Sequence, residues 1–398
     1  TSYAVAEAVI GPLTGWLGDR FGTVRVFIGS MIGFGLFSLL CGMSMTLGMI
    51  VAARIGQGLC GGPIMPMSQT LLLRVFPPHQ RAMAMGVWAM TVILGPALGP
   101  ILGGYIADEW TWHWVFLINV PIAAACSFGA AMMLGAVETP ILRLPIDRIG
   151  IVLLVFWIGC LQIMLDIGRD HDWFGDWKIV VLAIMAFVGF LAFLIWELTD
   201  KHPIVALHLL RNRAFSTTLV VMAFGFGSFF SSIVLVPQWL QLTLGYSATK
   251  AGVVMALQSV ASLIAAPIAP KLMQRVDARI LLSGALLWMA MTTLIRARWT
   301  SGVDMFGLAW PMMLQGLAVP FMMIPITTVS LTAVQPHETN HASGMQNFVR
   351  TMAIAVATAV VLTIWGDSQR GARNGMVDGL QPAGALETMQ GGGLSAEQ

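Results

Sequence analysis

The chain has 398 residues, of which 57% are hydrophobic and 10% are charged, and its mean hydropathy is +0.80. A soluble domain carries about 25% charged residues, so this composition excludes a cytosolic enzyme and a secreted disulfide scaffold. The formal net charge of +2 excludes a basic surface for nucleic acid. The function of the chain is therefore to be sought inside a membrane.

Twelve apolar stretches are each long enough to cross a bilayer as a helix, which takes about 20 residues. Charged or Gly- and Pro-rich turns place them near residues 1–17, 24–42, 47–73, 82–104, 114–136, 149–167, 178–198, 214–236, 251–273, 280–298, 305–331 and 343–365. Residue 1 is Thr and opens directly into the first stretch, while residues 366–398 are polar and rich in Gly. We expect the natural protein to continue beyond these ends.

The loops alternate in their content of Lys and Arg. With the loop at residues 19–25 on the inside, the inner loops hold twelve basic residues and the outer loops hold seven. The positive-inside rule therefore places that loop in the cytoplasm.

No cluster of chemically reactive side chains stands out. The seven His are scattered, and Cys41, Cys60, Cys126 and Cys160 lie in apolar stretches without C-x-x-C spacing. These cysteines read as packing residues rather than as a metal site or a disulfide framework. We therefore expect neither an enzyme nor a metal or organic cofactor.

A single offset of 258 residues aligns three landmarks without a gap. The aligned pairs are Asp19 with Asp277, Gln57-Gly58-Leu59 with Gln315-Gly316-Leu317, and Ala84-x-Gly86 with Ala342-x-Gly344. The chain is therefore predicted to be all-α, with two similar helical bundles and two extra spans between them. Such repeats are typical of secondary transporters, whose substrate site lies near the midplane between the halves.

The first inner loop reads Gly15-Trp-Leu-Gly-Asp19-Arg20-Phe-Gly22-Thr-Val-Arg25. Gly22 permits a left-handed turn. Asp19 precedes the next helix, whose dipole favours a carboxylate, and it can pair with a basic residue or a neighbouring helix end. We interpret this cluster as an inner gate; loop charges that only set the topology are the alternative. The partial copy at residues 271–279, which includes Asp277, favours the gate.

This loop resembles the signature loop of the major facilitator superfamily, and Arg54-x-x-Gln57-Gly58 resembles its fourth-span motif. The run Gly95-Pro96-Ala-Leu-Gly99-Pro100-Ile-Leu-Gly103-Gly104 resembles the fifth-span motif of the antiporters in that superfamily. The stretch Trp112-His-Trp114-Val-Phe116-Leu-Ile-Asn119-Val-Pro121, followed by two extra spans, is similar to the fourteen-span drug:proton antiporters of the EmrB/QacA type. Against that family, His113 replaces the usual Arg, and the first and last spans are absent.

The resemblance divides the chain into an N-terminal bundle at 1–136, two linker spans at 137–213, a C-terminal bundle at 214–365 and a polar tail at 366–398. It implies proton-coupled export of amphipathic or cationic compounds across the plasma (inner) membrane, driven by the proton gradient. In double-membrane bacteria it also implies a periplasmic adaptor and an outer-membrane channel. A symporter of the same superfamily and a non-transporting membrane protein are the alternatives.

The fifth-span motif also has a physical reading. Gly95, Gly99 and Gly103 recur every four residues, which permits close contact with another helix. Pro96 and Pro100 free backbone groups and bend the helix. We expect a seam near the outer face that seals this face in the inward-open state; a generic packing face is the alternative.

Three charged residues fall inside predicted spans, where ionisable groups are costly and usually functional. Glu7 lies twelve residues before Asp19, about 18 Å from the inner face, and a carboxyl group at that depth is suited to carry a proton. The resemblance assigns Arg54 to proton coupling. Arg350, about 12 Å inside the last span, is a candidate for the cavity. Buried packing for Glu7 and snorkelling for the two arginines are the alternatives.

Gln57 and Gln315 are counterparts in the repeat, each within an apolar span. They are candidates for the cavity wall, with an interhelical hydrogen bond as the favoured alternative.

Overall fold

A computed structural model describes residues 2–142, 145–171, 173–200, 203–300 and 302–379. At some positions within these ranges the structure describes the backbone and not the side chain, namely 93, 96–98, 100–101, 104–105, 107–108, 248 and 373–379. Within these ranges the chain is α-helical, with short 3-10 turns and no strand. The predicted all-α class is confirmed.

The helices are α1 (Ser2–Phe21), α2 (Thr23–Gly42), α3 (Leu47–Gly61), α4 (Ile64–Val75), α5 (Arg81–Glu109), α6 (Trp114–Leu117), α7 (Asn119–Met133), α8 (Arg148–Ile167), α9 (Trp177–Thr199), α10 (Arg213–Thr243), α11 (Ala248–Ala265), α12 (Ile268–Met273), α13 (Ala278–Arg296), α14 (Met305–Thr332) and α15 (Thr339–Gly379). Ten helical segments in the described ranges are long and apolar enough to cross a membrane. The two remaining predicted spans correspond to α1 and α5, which have 20 and 29 residues.

Polar residues set where many helices begin. The side chains of Thr46, Asp147, Asp176, Asn212, Ser247, Asp277 and Asp304 each accept a hydrogen bond from a backbone N–H in the first turn. Such caps satisfy donors that the helix itself leaves free. Pro63 separates α3 from α4, and Pro267 separates α11 from α12, so each of these pairs forms one interrupted span.

The 258-residue offset recurs in the helix boundaries. Helices α3 and α14 begin at Leu47 and Met305, and α5 and α15 begin at Arg81 and Thr339. A 3-10 turn that starts at Pro78 precedes α5, and its counterpart starts at Pro336 before α15. The repeat is therefore carried by the backbone as well as by the aligned residues.

The two halves meet along two related pairs of helices. Helix α1 packs against α15, and α5 packs against α11 and α12. The extra helices α8 and α9 pack against each other, and α8 also contacts α1 and α15. The largest buried cluster includes residues of α1, α5, α8, α10, α14 and α15, so it joins both halves. The exact boundaries assigned to the parts from sequence stay predictions.

Candidate functional site

Glu7 lies on α1 at the junction of the two halves. It interacts electrostatically with Arg350 of α15 and, more weakly, with Arg54 of α3. The three charges that the sequence placed inside separate spans therefore share one electrostatic site. Arg350 belongs to the other half, so its attraction to Glu7 acts across the interface.

Arg54 lies in a polar and aromatic environment on the outer side of this site. Its guanidinium stacks over the ring of Tyr3 at 4.3 Å, and its Nη1 donates to Gln57 Oε1 at 2.7 Å. The Gln57 amide in turn donates to Ser38 Oγ of α2 at 2.5 Å, and Asn119 donates to the same hydroxyl at 3.4 Å. Gln57 thus forms the interhelical hydrogen bond that the sequence favoured, and it also orients Arg54.

Arg350 is buried, with 9% of its surface exposed, which contradicts the snorkelling alternative. Its guanidinium contacts Asn347 one turn earlier on α15 and the sulfur of Met65 on α4, and it lies 5.9 Å from the ring centre of Phe226 on α10. Met65 belongs to the opposite half, so Arg350 bridges the halves through contacts as well as through charge.

The C-terminal counterpart of the Arg54 network has a different arrangement. Gln315 is buried, and its Oε1 has no hydrogen-bond partner in the described part of the chain. Met312 occupies the position related to Arg54, and Arg296 of α13 occupies the position related to Ser38. Arg296 is buried, donates to Ser232 Oγ at 2.7 Å and lies 3.7 Å from the sulfur of Met312. The same helix pair therefore holds a cation in both halves, supplied from opposite helices, with Arg54 half-buried and Arg296 buried.

The inner gate predicted at Asp19 forms contacts across the halves. Asp19 Oδ2 lies 2.9 Å from His341 Nε2, and Asp19 Oδ1 accepts from Asn340 Nδ2 at 3.2 Å. Asn340 also donates to Thr23 Oγ1 at 3.0 Å. Asn340 and His341 lie in the first turn of α15, so Asp19 pairs with a neighbouring helix end, as one of the predicted options required.

Close helix packing accompanies these bonds. A Cβ at Gly15 would lie 2.4 Å from His341 Nδ1 and 2.6 Å from His341 Cα, and a Cβ at Gly344 would lie 2.9 Å from Gly11 O. Only glycine lets the backbones of α1 and α15 approach this closely. The inner face is therefore closed in this conformation.

A segment after α7 lies over the same loop. Glu138 accepts hydrogen bonds from the backbone N–H groups of Val24 and Arg25 at 3.0 and 3.1 Å, and its carboxylate lies 3.9 Å from Arg25 Nε. Gly22 adopts φ 91°, the left-handed conformation expected for it. Leu142 N donates to Asp19 O at 2.8 Å. The segment at residues 138–142, which leads into the linker spans, therefore holds the inner loop at residues 19–25 in place.

The remaining predicted gate residues have local roles. Arg20 lies over the rings of Trp16 and Phe21, 5.3 and 5.6 Å from their centres. Asp277 caps its own helix by accepting from the N–H of Arg279 at 2.8 Å. The partial copy of the loop therefore does not reproduce the contact that Asp19 makes with the opposite half.

The fifth-span motif lies in α5. No described atom lies within 4 Å of a Cβ built at Gly95, Gly99 or Gly103, apart from the helix's own backbone. The side chains of Pro96 and Pro100, and the surroundings of Gly104, lie outside the described residues. The seam is expected in the inward-open state, whereas this structure has its inner face closed, so the seam stays a prediction.

Sequence reasoning missed several partners. Asn340 and His341 carry a weak signal, since they are polar residues at the start of a span, and Asn347 stands one helical turn from Arg350. Glu138 stands in a short polar stretch directly after a span. Their pairing with Asp19, Arg350 and the gate loop depends on contacts that join distant parts of the chain.

Comparison with known proteins decides the family. The model of the Major Facilitator Superfamily matches residues 1–358. The chain is 41% identical over 366 residues to the multidrug export protein EmrB of Escherichia coli (strain K12), covering 92% of this chain and 72% of EmrB. The chain belongs to the Major Facilitator Superfamily. Within it, the chain is a member of the EmrB-type group.

One further relative and one solved structure are similar to this superfamily member. It is 37% identical over 365 residues to the fatty acid resistance protein FarB of Neisseria gonorrhoeae, covering 92% of this chain and 72% of FarB. The crystal structure of the human organic anion transporter MFSD10 aligns with a TM-score of 0.62 at 17% identity, covering 91% of this chain and 76% of that one. That likeness shows the fold.

Membership of the superfamily confirms three expectations. The chain is a multi-pass integral protein of the inner membrane, and it is a transporter of small molecules rather than an enzyme. Among the described residues, no group of three or more His, Cys, Asp or Glu is placed to hold a metal ion.

Proposed function

We propose that this transporter exports amphipathic small molecules in exchange for protons, by alternating access. The observation that carries the proposal is the position of Arg350, which contacts Met65 of the opposite half and attracts Glu7 electrostatically, in a structure whose inner face is closed at Asp19. The export names of EmrB and FarB support the outward direction.

The chemistry of the cycle follows from this geometry. A proton that enters from outside neutralises the Glu7 carboxylate and removes its attraction to Arg350 and Arg54. The halves are then held by weaker forces at the midplane and can rock, which breaks the Asp19 contacts at the inner face. Release of the proton to the cytoplasm restores the Glu7 charge and lets substrate enter from the inside.

The charge balance of the site refines the substrate class. Two guanidinium groups face one carboxylate, so the site is net positive when Glu7 is ionised. That balance favours amphipathic substrates with an acidic group, in line with the name of FarB, and it argues against permanently cationic substrates. An apolar cavity of about 620 Å³ lies between α4 and α5 and adjoins Arg350 through Met65. Its size suits a small molecule, so we assign the apolar part of the substrate to it.

The proton gradient supplies the energy in this proposal, and no cofactor is required. A periplasmic adaptor and an outer-membrane channel are proposed as partners because the fourteen-span resemblance implies them.

Proton release from the purified natural protein in weak buffer tests the proposal. Adding medium-chain fatty acids and weakly acidic uncouplers should release protons from the wild type, and Glu7→Gln should abolish the release. Glu109→Gln is the matched control, because Glu109 is an exposed acid at the outer end of α5.

Each other outcome contradicts part of the proposal. Release that survives in Glu7→Gln would remove Glu7 from the coupling site. Proton uptake with substrate would indicate a symporter, and no response in folded protein that binds the same compounds would indicate a non-transporting protein.

A further inference from the structure

A groove of about 570 Å³ lies between the inner ends of α10, α13 and α14. Arg213 and Arg279 stand at its cytoplasmic end, since α10 begins at Arg213 and α13 begins one residue before Arg279. Val221 and Leu282 line its deeper part. Val221 lies eight residues into α10, about 12 Å from Arg213 along the axis. The groove thus has two cations at the level of the headgroups and an apolar depth.

Both arginines are available to a ligand. They are exposed, and neither has a carboxylate oxygen within 4.0 Å among the described residues. The nearby Asp277 carboxylate is engaged with the backbone N–H of Arg279. The hydroxyls of Thr217 and Ser283 line the groove beside them. The cytoplasmic end is therefore rich in hydrogen-bond donors.

A second groove, in the N-terminal half, shows that the protein can engage such arginines itself. That groove is lined by Arg20 and Arg25, among others. Arg25 lies 3.9 Å from Glu138, and Arg20 stacks on Trp16. The protein itself engages the cations of this N-terminal groove, whereas no ion-pair partner of Arg213 or Arg279 lies among the described residues.

The surrounding surface faces lipid. Val220 and Phe224 of α10 are 56% and 77% exposed, and Ile280 and Leu287 of α13 are 66% and 72% exposed. An occupant of the groove therefore comes from the inner leaflet. Basic pockets between spans on the cytoplasmic side suit anionic headgroups, and the apolar depth suits an acyl chain.

We propose that this groove binds one anionic phospholipid of the inner leaflet, with its phosphate between Arg213 and Arg279 and an acyl chain along Val221 and Leu282. The lipid would join α10 to α13 on the outer surface of the C-terminal bundle. This role does not depend on the transported substrate or on Glu7.

Native mass spectrometry of the purified natural protein, titrated with dioleoyl-phosphatidylglycerol or dioleoyl-phosphatidylcholine, tests the proposal. The wild type should bind one phosphatidylglycerol saturably and in preference to phosphatidylcholine. The double variant Arg213→Gln/Arg279→Gln should weaken that binding about 30-fold. Val221→Phe, which narrows the groove and keeps both charges, should weaken it as well.

The control is Arg148→Gln/Arg275→Gln, which removes two exposed inner-face arginines that do not line the groove. It should leave the affinity unchanged within about twofold. Equal weakening in both double variants would show diffuse charge attraction and overturn the proposal. Absence of lipid preference, or displacement of the lipid by millimolar inorganic phosphate, would overturn it too.

Discussion

The two halves of this transporter share one helix plan but close the inner face with different chemistry. Where α1 meets α15, Asp19 bonds to His341 and Asn340. Where α5 meets α12, a Cβ at Gly86 would lie 2.6 Å from Pro270 Cγ, and that contact is apolar. Met83, the counterpart of His341, is 65% exposed. The repeat determines where the helices meet. A few residues then determine whether the contact there is ionic or apolar.

The cations inside the two halves show the same kind of difference. Arg54 and Arg296 lie on opposite members of the related helix pairs. Arg54 interacts electrostatically with Glu7, whereas Arg296 is held by Ser232 and Thr293 hydroxyls. The N-terminal cation is therefore placed for coupling, and the C-terminal cation is placed for packing.

The largest effect is expected at Gly15. Gly15→Val would force α1 away from the backbone of His341, so the inner face could not close, and export should fall at least 50-fold. Gly86→Val meets the ring of Pro270 and the end of the Ile324 side chain rather than backbone, and it should cost less. Transport into inside-out vesicles measures both, with Gly29→Val as the control because no atom lies within 4 Å of its Cβ position. Equal effects at Gly15 and Gly86 would show that both contacts are equally tight.

Substitution of these two arginines separates coupling from packing. Arg54→Met should lower proton-driven export at least tenfold, because an intramembrane charge beside Glu7 is lost. Arg296→Met should keep export within about threefold and lower thermal stability instead. Substrate-induced proton release and the melting temperature, measured on both variants, decide the assignment. Loss of proton release in Arg296→Met alone would reverse it.

The two related aspartates should differ in a smaller way. Asp19→Asn weakens the contact with His341 and should reduce export about fivefold. This change corresponds to the loss of roughly 1 kcal/mol of interaction energy. Asp277→Asn keeps the capping oxygen and should stay within about twofold. Labelling of a cysteine at the inner end of α15 should become faster in Asp19→Asn only. Unchanged labelling would mean that Asp19 does not hold the gate.

The smallest effect concerns the Gln57–Ser38 hydrogen bond. A double-mutant cycle with Gln57→Leu and Ser38→Ala should give a coupling energy of about 0.6 kcal/mol. Gln315→Leu should be neutral or stabilising, because the Oε1 of Gln315 is buried without a partner in the described part of the chain. Thermal unfolding in detergent measures these changes. A destabilised Gln315→Leu would show that Gln315 has a partner in another conformation.

Much of the fold could be predicted from the sequence because membrane physics restricts the options. Apolar length gives the spans, loop charge gives the orientation, and the 258-residue offset gives the two bundles, whose helix starts at Leu47 and Met305 agree with it. Glu7, Arg54 and Arg350 could be selected because charges inside a bilayer are rare.

The partners could not be predicted, since they depend on how distant spans pack. Composition does not indicate that Glu138 would bind the N–H groups of Val24 and Arg25, or that His341 would face Asp19. The fifth-span seam was inferred from the spacing of Gly95 and Gly99 for the inward-open state, and this inner-closed structure leaves it a prediction.

Helices α1 and α15 are linked at two levels, and the linkage has a mechanical consequence. Glu7 and Asp19 are twelve residues apart on α1, and Arg350 and His341 are nine residues apart on α15. Helix α15 contains no proline, whereas α1 contains Pro12 between its two acids. Helix α15 is thus the stiffer of the two, and α1 can bend at its proline. If one of the two contacts between α1 and α15 is lost, α1 can bend at Pro12, and the bend strains the other contact. Protonation of Glu7 and opening of the inner face are therefore mechanically coupled through α1.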